Sequence, residues 1–223
     1  MRLDLAPGLN GRVVRLLDKG TGIGLLRRVD PGERFYPDLG GIAVFVHPDF
    51  KAPPLETTWR LESGATAREI SLAGRCANGL RLHRWLRLEG DVLRTTTRVE
   101  NPGAQPVEFV LQARAELAGE DPHIATRTAA GTWIDNPLRR LADSPAGSET
   151  YSGDTLPAGE WAVLQSVAGF RVVNGFQPRQ VERCLVNWSV RGPHRVTLTL
   201  ISPRAALAPG GTLELDADYA VMR

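Results

Sequence analysis

The chain has 223 residues, of which 42% are hydrophobic and 23% charged, a composition that suits one extended β core and excludes a disulfide-stapled miniprotein or a disordered chain. The 27 basic and 25 acidic residues leave a net charge of +2. Basic residues alternate with acidic ones and never form a run of four, so no footprint for a phosphate backbone is present and neither nucleic acid nor a membrane is expected as a partner.

The predicted elements begin with a strand over Arg12 to Leu17, the glycine-rich stretch Gly20-Thr21-Gly22-Ile23-Gly24 and a strand over Gly24 to Arg28. No Lys-Ser/Thr pair or helix follows those glycines, so they read as a hairpin turn rather than a phosphate loop. Short strands follow at Ile42 to His47, Thr57 to Leu61 and Ala67 to Ala73. From Leu80 to Leu88 the leucines at 80, 82, 86 and 88 share one side, while Arg81, His83, Trp85 and Arg87 share the other; only Arg84 breaks the period of two. Gly90 and Asp91 then turn the chain into Val92 to Glu100, which completes a hairpin.

After Asn101-Pro102-Gly103, Val107 to Leu117 alternates for eleven residues. Val107, Phe109, Leu111, Ala113, Ala115 and Leu117 form one face; Glu108, Val110, Gln112, Arg114 and Glu116 form the other. Glu120-Asp121 with His123 reads as a turn. Pro137 to Ala158 reads as a long surface excursion, with at most one helical turn over Leu138 to Asp143. Strands are expected at Trp161 to Ser166, Phe170 to Asn174, Val181 to Ser189 and around Val196, Leu198 and Leu200. Pro209-Gly210-Gly211 then leads into a closing strand over Leu213 to Val221. The resulting fold class is all-β, a large antiparallel sandwich occupying residues 1–223 as one domain.

Cys76 and Cys184 match no zinc or redox spacing and read as small buried hydrophobes; pairing them would require an oxidising compartment. The histidines at 47, 83, 123 and 194 show no ligand spacing, so neither a metal nor another cofactor is expected. Without a recognisable signal peptide near Met1, a cytoplasmic location is favoured.

The order of features resembles the galactose mutarotase-like superfamily, which includes aldose epimerases and sandwich domains of glycoside hydrolases. Gly11 to Asp18 followed by Thr21-Gly22 and Leu25-Leu26 resembles its opening hairpin, and Tyr36-Pro37 with Gly40-Gly41 its glycine-rich segment. Leu93 to Asn101 with Pro106 to Leu117 resembles its central strand pair, and Leu207 to Leu213 its last turn. The resemblance implies a supersandwich that binds a small carbohydrate on the central strand. Other domains of a larger carbohydrate-active protein are further partners that it allows. In the epimerases that strand carries a histidine that protonates the ring oxygen, and a later glutamate removes the anomeric proton. Here the matching tetrad is Arg114-Ala115-Glu116-Leu117, and a guanidinium does not release its proton in the physiological range.

The expected substrate-binding residues are therefore Gln112, Arg114 and Glu116 on the central strand, His47 at a strand end, and Trp85 beside Arg81, His83 and Arg87. Should the chain be an enzyme, His83 or His47 is the residue to serve as relocated acid and Glu182 as base. Three readings stand at this level: a carbohydrate-binding or scaffold domain without epimerase chemistry, an aldose 1-epimerase-like isomerase with a relocated acid, and a β-domain that mediates assembly.

Overall fold

The structure, a computed structural model, describes residues 1–27, 40–118, 123–137, 146–165, 170–189 and 195–222. Strands pair antiparallel into two sheets. The first runs β1 (Arg2–Ala6), β2 (Arg12–Leu17), β3 (Gly41–His47), β8 (Val107–Ala118), β15 (Arg195–Ile201), β14 (Arg183–Ser189) and β11 (Ala146–Ser152), with β16 (Ala205–Leu207) also beside β8. The second runs β10 (Trp133–Pro137), β9 (His123–Arg127), β12 (Glu160–Gln165), β13 (Phe170–Gly175), β18 (Asp218–Met222), β7 (Val92–Glu100), β6 (Arg81–Glu89), β5 (Glu69–Cys76) and β4 (Thr57–Leu61), with β17 (Thr212–Asp216) beside β7.

The all-β expectation holds, and the core explains why. Alternate residues of both sheets point at each other: Ile42, Val44 and Val46 of β3, Phe109, Leu111 and Ala115 of β8 and Leu198 and Leu200 of β15 meet Leu72, Leu82, Leu86, Val99 and Tyr219 from the second sheet. Each fully buried Leu, Val or Phe contributes about 1.5–3 kcal/mol through the surface it removes from water. Cys76 and Cys184 are both free and buried in this core, one from each sheet, as small hydrophobes. Trp188 is also buried there, and it fills the space over Gly147 of the neighbouring strand.

Local chemistry sets the turns. The β6–β7 hairpin closes through Gly90 and Asp91 alone, because Glu89 pairs with Val92 and Gly90 takes a φ of 59°. Asp18 closes the 18–23 turn, accepting from Thr21 Oγ1 at 2.7 Å and from the Gly20 amide at 3.2 Å. Asn101, almost fully buried, donates to the carbonyls of Gln105 and Leu207, both at 2.8 Å, while its own carbonyl accepts from the Gly210 amide at 2.8 Å. Two turns distant in sequence, Asn101 to Pro106 and Leu207 to Gly211, are thereby held together.

Several expectations need correction. Residues 146–152 of the presumed surface excursion form β11, an edge strand paired along its whole length with β14 and contributing Tyr151 to the core. Its sequence, Ala-Gly-Ser-Glu-Thr-Tyr-Ser, lacks apolar alternation, so its strand state depends on the partner. β1, β9, β10 and β16 also form where no strand was expected. The Gly24 to Arg28 segment makes isolated bridges at Gly24 and Leu26 in place of a continuous strand, and Arg28 lies outside the described residues. Tyr36-Pro37, Glu120-Asp121, Leu138 to Asp143 and His194 likewise lie outside them. Arg84 points inward with Leu82 and Leu86 despite its charge, and its Nη1 donates to the Gly11 carbonyl at 2.9 Å. Among the described residues no helix is long and apolar enough to cross a membrane.

Candidate functional site

The outward face of the first sheet, turned away from the core, carries the polar row of β8. Antiparallel register places Gly41 opposite Glu116, Ala43 opposite Arg114, Phe45 opposite Gln112 and His47 opposite Val110. On the other flank Thr197 faces Glu116 and Thr199 faces Arg114. His47, Gln112, Arg114 and Glu116 thus share one surface.

Glu116 is the anchor of this surface and is fully buried. Its Oε2 accepts from Arg27 Nη1 at 3.2 Å and from the Gly40 amide at 3.1 Å, and its Oε1 lies 3.5 Å from Arg114 Nη2. The glycines make this approach possible: Gly40 and Gly41 have φ of 76° and 82°, and a Cβ on Gly41 would sit 2.2 Å from the Val13 carbonyl oxygen. Arg12, buried beside them, donates to the Gly40 carbonyl and lies 5.8 Å above the Phe45 ring. A buried carboxylate among guanidiniums must be held by several partners at once, because each ion has lost its water.

His47 is buried, and its Nδ1 lies 2.9 Å from the Ala52 carbonyl. A carbonyl can only accept, so Nδ1 carries the proton and Nε2 is left as an acceptor; this nitrogen is buried and has no hydrogen-bond partner among the described residues. Burial, and secondarily the Arg114 charge, hold the imidazole pKa below its ordinary 6.5, against the opposing effects of Ala52 and Asp49.

The remaining expected residues are elsewhere. His83 and Trp85 lie on β6, on the outward face of the second sheet, stacked 6.0 Å apart, with Arg98 lying 5.9 Å over the indole. His83 Nδ1 is 3.5 Å from Glu62. The sandwich core separates this pair from the β8 row. Glu182, exposed just before β14, pairs at 2.8 Å with Arg183, whose guanidinium lies 4.7 Å over the Phe50 ring. Sequence reasoning did not single out Arg12, Arg27, Phe45, Thr197 and Thr199. The alternation of Thr197 and Thr199 with Val196, Leu198 and Leu200 was a usable signal, whereas nothing in the local sequence marks Arg27. Among the described residues no group of three or more His, Cys, Asp or Glu side chains is placed to hold a metal ion.

Solved structures superpose on this architecture along nearly its whole length. A protein of Escherichia coli K12, provisionally named an aldose 1-epimerase, matches with a TM-score of 0.75 at 14% identity, covering 99% of this chain and 95% of its own. The Slr1438 protein of Synechocystis sp. PCC 6803 matches at 0.73 and 15%, covering 99% and 91%. A galactose mutarotase-like protein of Lactobacillus casei matches at 0.68 and 11%, covering 99% and 96%. This chain has the galactose mutarotase-like fold. No protein-family model matches its sequence, and no curated protein matches it significantly. At such identities the galactose mutarotase-like likeness speaks to the fold alone, and the chemistry of the site rests on its own residues.

Proposed function

We propose that the protein recognises a carbohydrate on the outward face of its first sheet and does so without the acid-base chemistry of an aldose epimerase. The observation that carries this reading is the convergence of His47, Gln112, Arg114 and Glu116 on two adjacent strands. Sugar hydroxyls both donate and accept hydrogen bonds. Here the partly exposed Arg114 guanidinium donates and the Gln112 amide does both, while Glu116, fully buried, holds the Arg114 side chain in place. All sit on strands, which hold such groups more rigidly than loops do.

Three features support recognition over turnover. Arg114 stands where the resemblance places a proton-donating histidine, and Gln112, two residues away on the same face, has no proton to transfer. Burial keeps His47 neutral at neutral pH, so the ring is poorly suited to protonating a ring oxygen. His83, the other histidine considered as a relocated acid, lies on the opposite sheet.

The test is titration of a panel of mono- and oligosaccharides followed by amide NMR. Tryptophan fluorescence is unsuitable, because no tryptophan lies on this face. Binding sugars should move β3 and β8 resonances, and Arg114→Met should weaken the affinity roughly tenfold, as expected for loss of a charge-assisted hydrogen bond. No movement of these strands for any sugar in the panel would sink the proposal. Acceleration of glucose or galactose mutarotation in a polarimeter, lost in His47→Ala, would replace it with the isomerase reading.

A further inference from the structure

On the second sheet we infer a separate binding site for a phosphate or sulfate group, at the β4–β6 end of its outward face. There Arg75 of β5 stands directly opposite Arg81 of β6, and two residue pairs further along, on the same face, Arg60, Ala73 and His83 align across β4, β5 and β6. These side chains and Thr58 line a hollow of about 520 Å³. Ala73 is its floor, and the small side chain leaves the depression that the arginines surround.

Like charges directly opposite each other across two strands repel. The adjoining β6–β7 hairpin contains a second such pair, Arg87 opposite Arg94, and there the problem is solved internally. Glu89 lies 3.2 Å from Arg87 Nε and 2.5 Å from Arg94 Nε, and Asp218 lies 2.6 Å from Arg94 Nη1. Arg98, on the same face, has Glu214 at 2.6 Å. At the hollow no carboxylate plays that part. Arg60, Arg75 and Arg81 are exposed and make no ion pair among the described residues, although Glu100 stands across β7 from Arg81. The nearby Glu62 is engaged with His83.

Arginines near β7 and β17 are thus neutralised one by one, while among the described residues Arg60 and Arg75 face no carboxylate and Arg81 has only the unbonded Glu100 opposite it, so the hollow keeps an excess of positive charge with planar forks of donors. A tetrahedral dianion is the group that complements them: its oxygens accept bidentate bonds from two guanidiniums. The site lies across the core from the proposed carbohydrate face and stands independently of it.

The experiment is amide NMR titration of the whole chain at low ionic strength with inorganic phosphate and inorganic sulfate, then with a phosphorylated and a sulfated monosaccharide. Saturable shifts are expected at Ala73, Arg75, Arg81 and His83. They should weaken roughly tenfold in Arg75→Gln and further in Arg75→Gln/Arg81→Gln, and stay unchanged in Arg87→Gln, whose partner is already in place. Tighter binding of an ester than of the inorganic ions identifies an esterified ligand, and equal affinity a free anion; either result upholds the site. Shifts that stay linear up to tens of millimolar, or that saturate identically in the double variant, would overturn it. The spectra themselves show that each variant is folded, and a loss of sugar response on β3 and β8 is read from different resonances.

Discussion

Replacing Arg84 by methionine should stabilise the protein, even though it removes a hydrogen bond. The Arg84 guanidinium is fully enclosed between the sheets; among the described residues Nε and Nη2 have no partner, and Nη1 alone donates, to Gly11. Burial, together with the Arg12 charge, holds its pKa down to about 10, well below the ordinary guanidinium range, against the raising influence of Tyr219. At about 1.4 kcal/mol per tenfold, carrying that charge into the core costs the folded state about 3 kcal/mol. Loss of the bond to the buried Gly11 carbonyl costs about 1–3 kcal/mol, and methionine adds apolar contact of similar length. The balance favours the variant by about 1 kcal/mol, or roughly 2–4 °C in melting temperature for a chain of this size. Calorimetry and urea unfolding at neutral pH measure it. The sign of the pH dependence follows from the lowered pKa: the penalty is fully present below pH 10 and fades as the pH rises above it toward the ordinary guanidinium range, so the variant's advantage shrinks over that interval. Tyr219, its phenol pushed up by burial, costs both proteins stability above pH 10, which makes their difference the quantity to follow. A melting temperature that falls by several degrees in Arg84→Met would refute this reasoning and show that the bond to Gly11 outweighs the buried charge.

Other perturbations test the site and the packing. Glu116→Gln removes the charge between Arg27 and Arg114 and, as the breaking of a buried ion pair, should cost about 3 kcal/mol, roughly 6–12 °C by thermal melt; a change within a degree would mean that the carboxylate does not organise this face. Gly147→Ala would place a methyl group 2.2 Å from Trp188 Cζ2, so overpacking of about 2 kcal/mol is expected in denaturant melts, with a larger m-value change arguing for repacking instead. The His47 imidazole, followed by NMR, should titrate below 6.5; because its folded pKa is depressed, its contribution to stability is present above 6.5 and is lost as the pH falls below it, and a midpoint above 6.5 would contradict the buried neutral ring.

How far the sequence reaches is clearest in three places. Strict alternation from Val107 to Leu117 assigned each residue to its face, because successive side chains of any strand point to opposite sides. The same geometry explains Arg84, whose position between Leu82 and Leu86 forces it inward whatever its polarity. β11 was invisible for the opposite reason: an edge strand of small and polar residues carries no pattern, and its state comes from pairing with β14 and from the room that Gly147 leaves for Trp188.

The candidate site divides along the same line. By itself the sequence determined an antiparallel all-β chain, the polar row Gln112, Arg114 and Glu116, and the absence of a histidine where the resemblance calls for one. Only the tertiary structure decided which rows meet, since a period of two records which residues share one strand's face and nothing about its neighbours. Register between β3 and β8 brings His47 beside the row from about seventy residues away, while β6 carries His83 and Trp85 to the far side of the core. Long-range pairing is encoded in the burial of both sheets together, and no local stretch of sequence contains it.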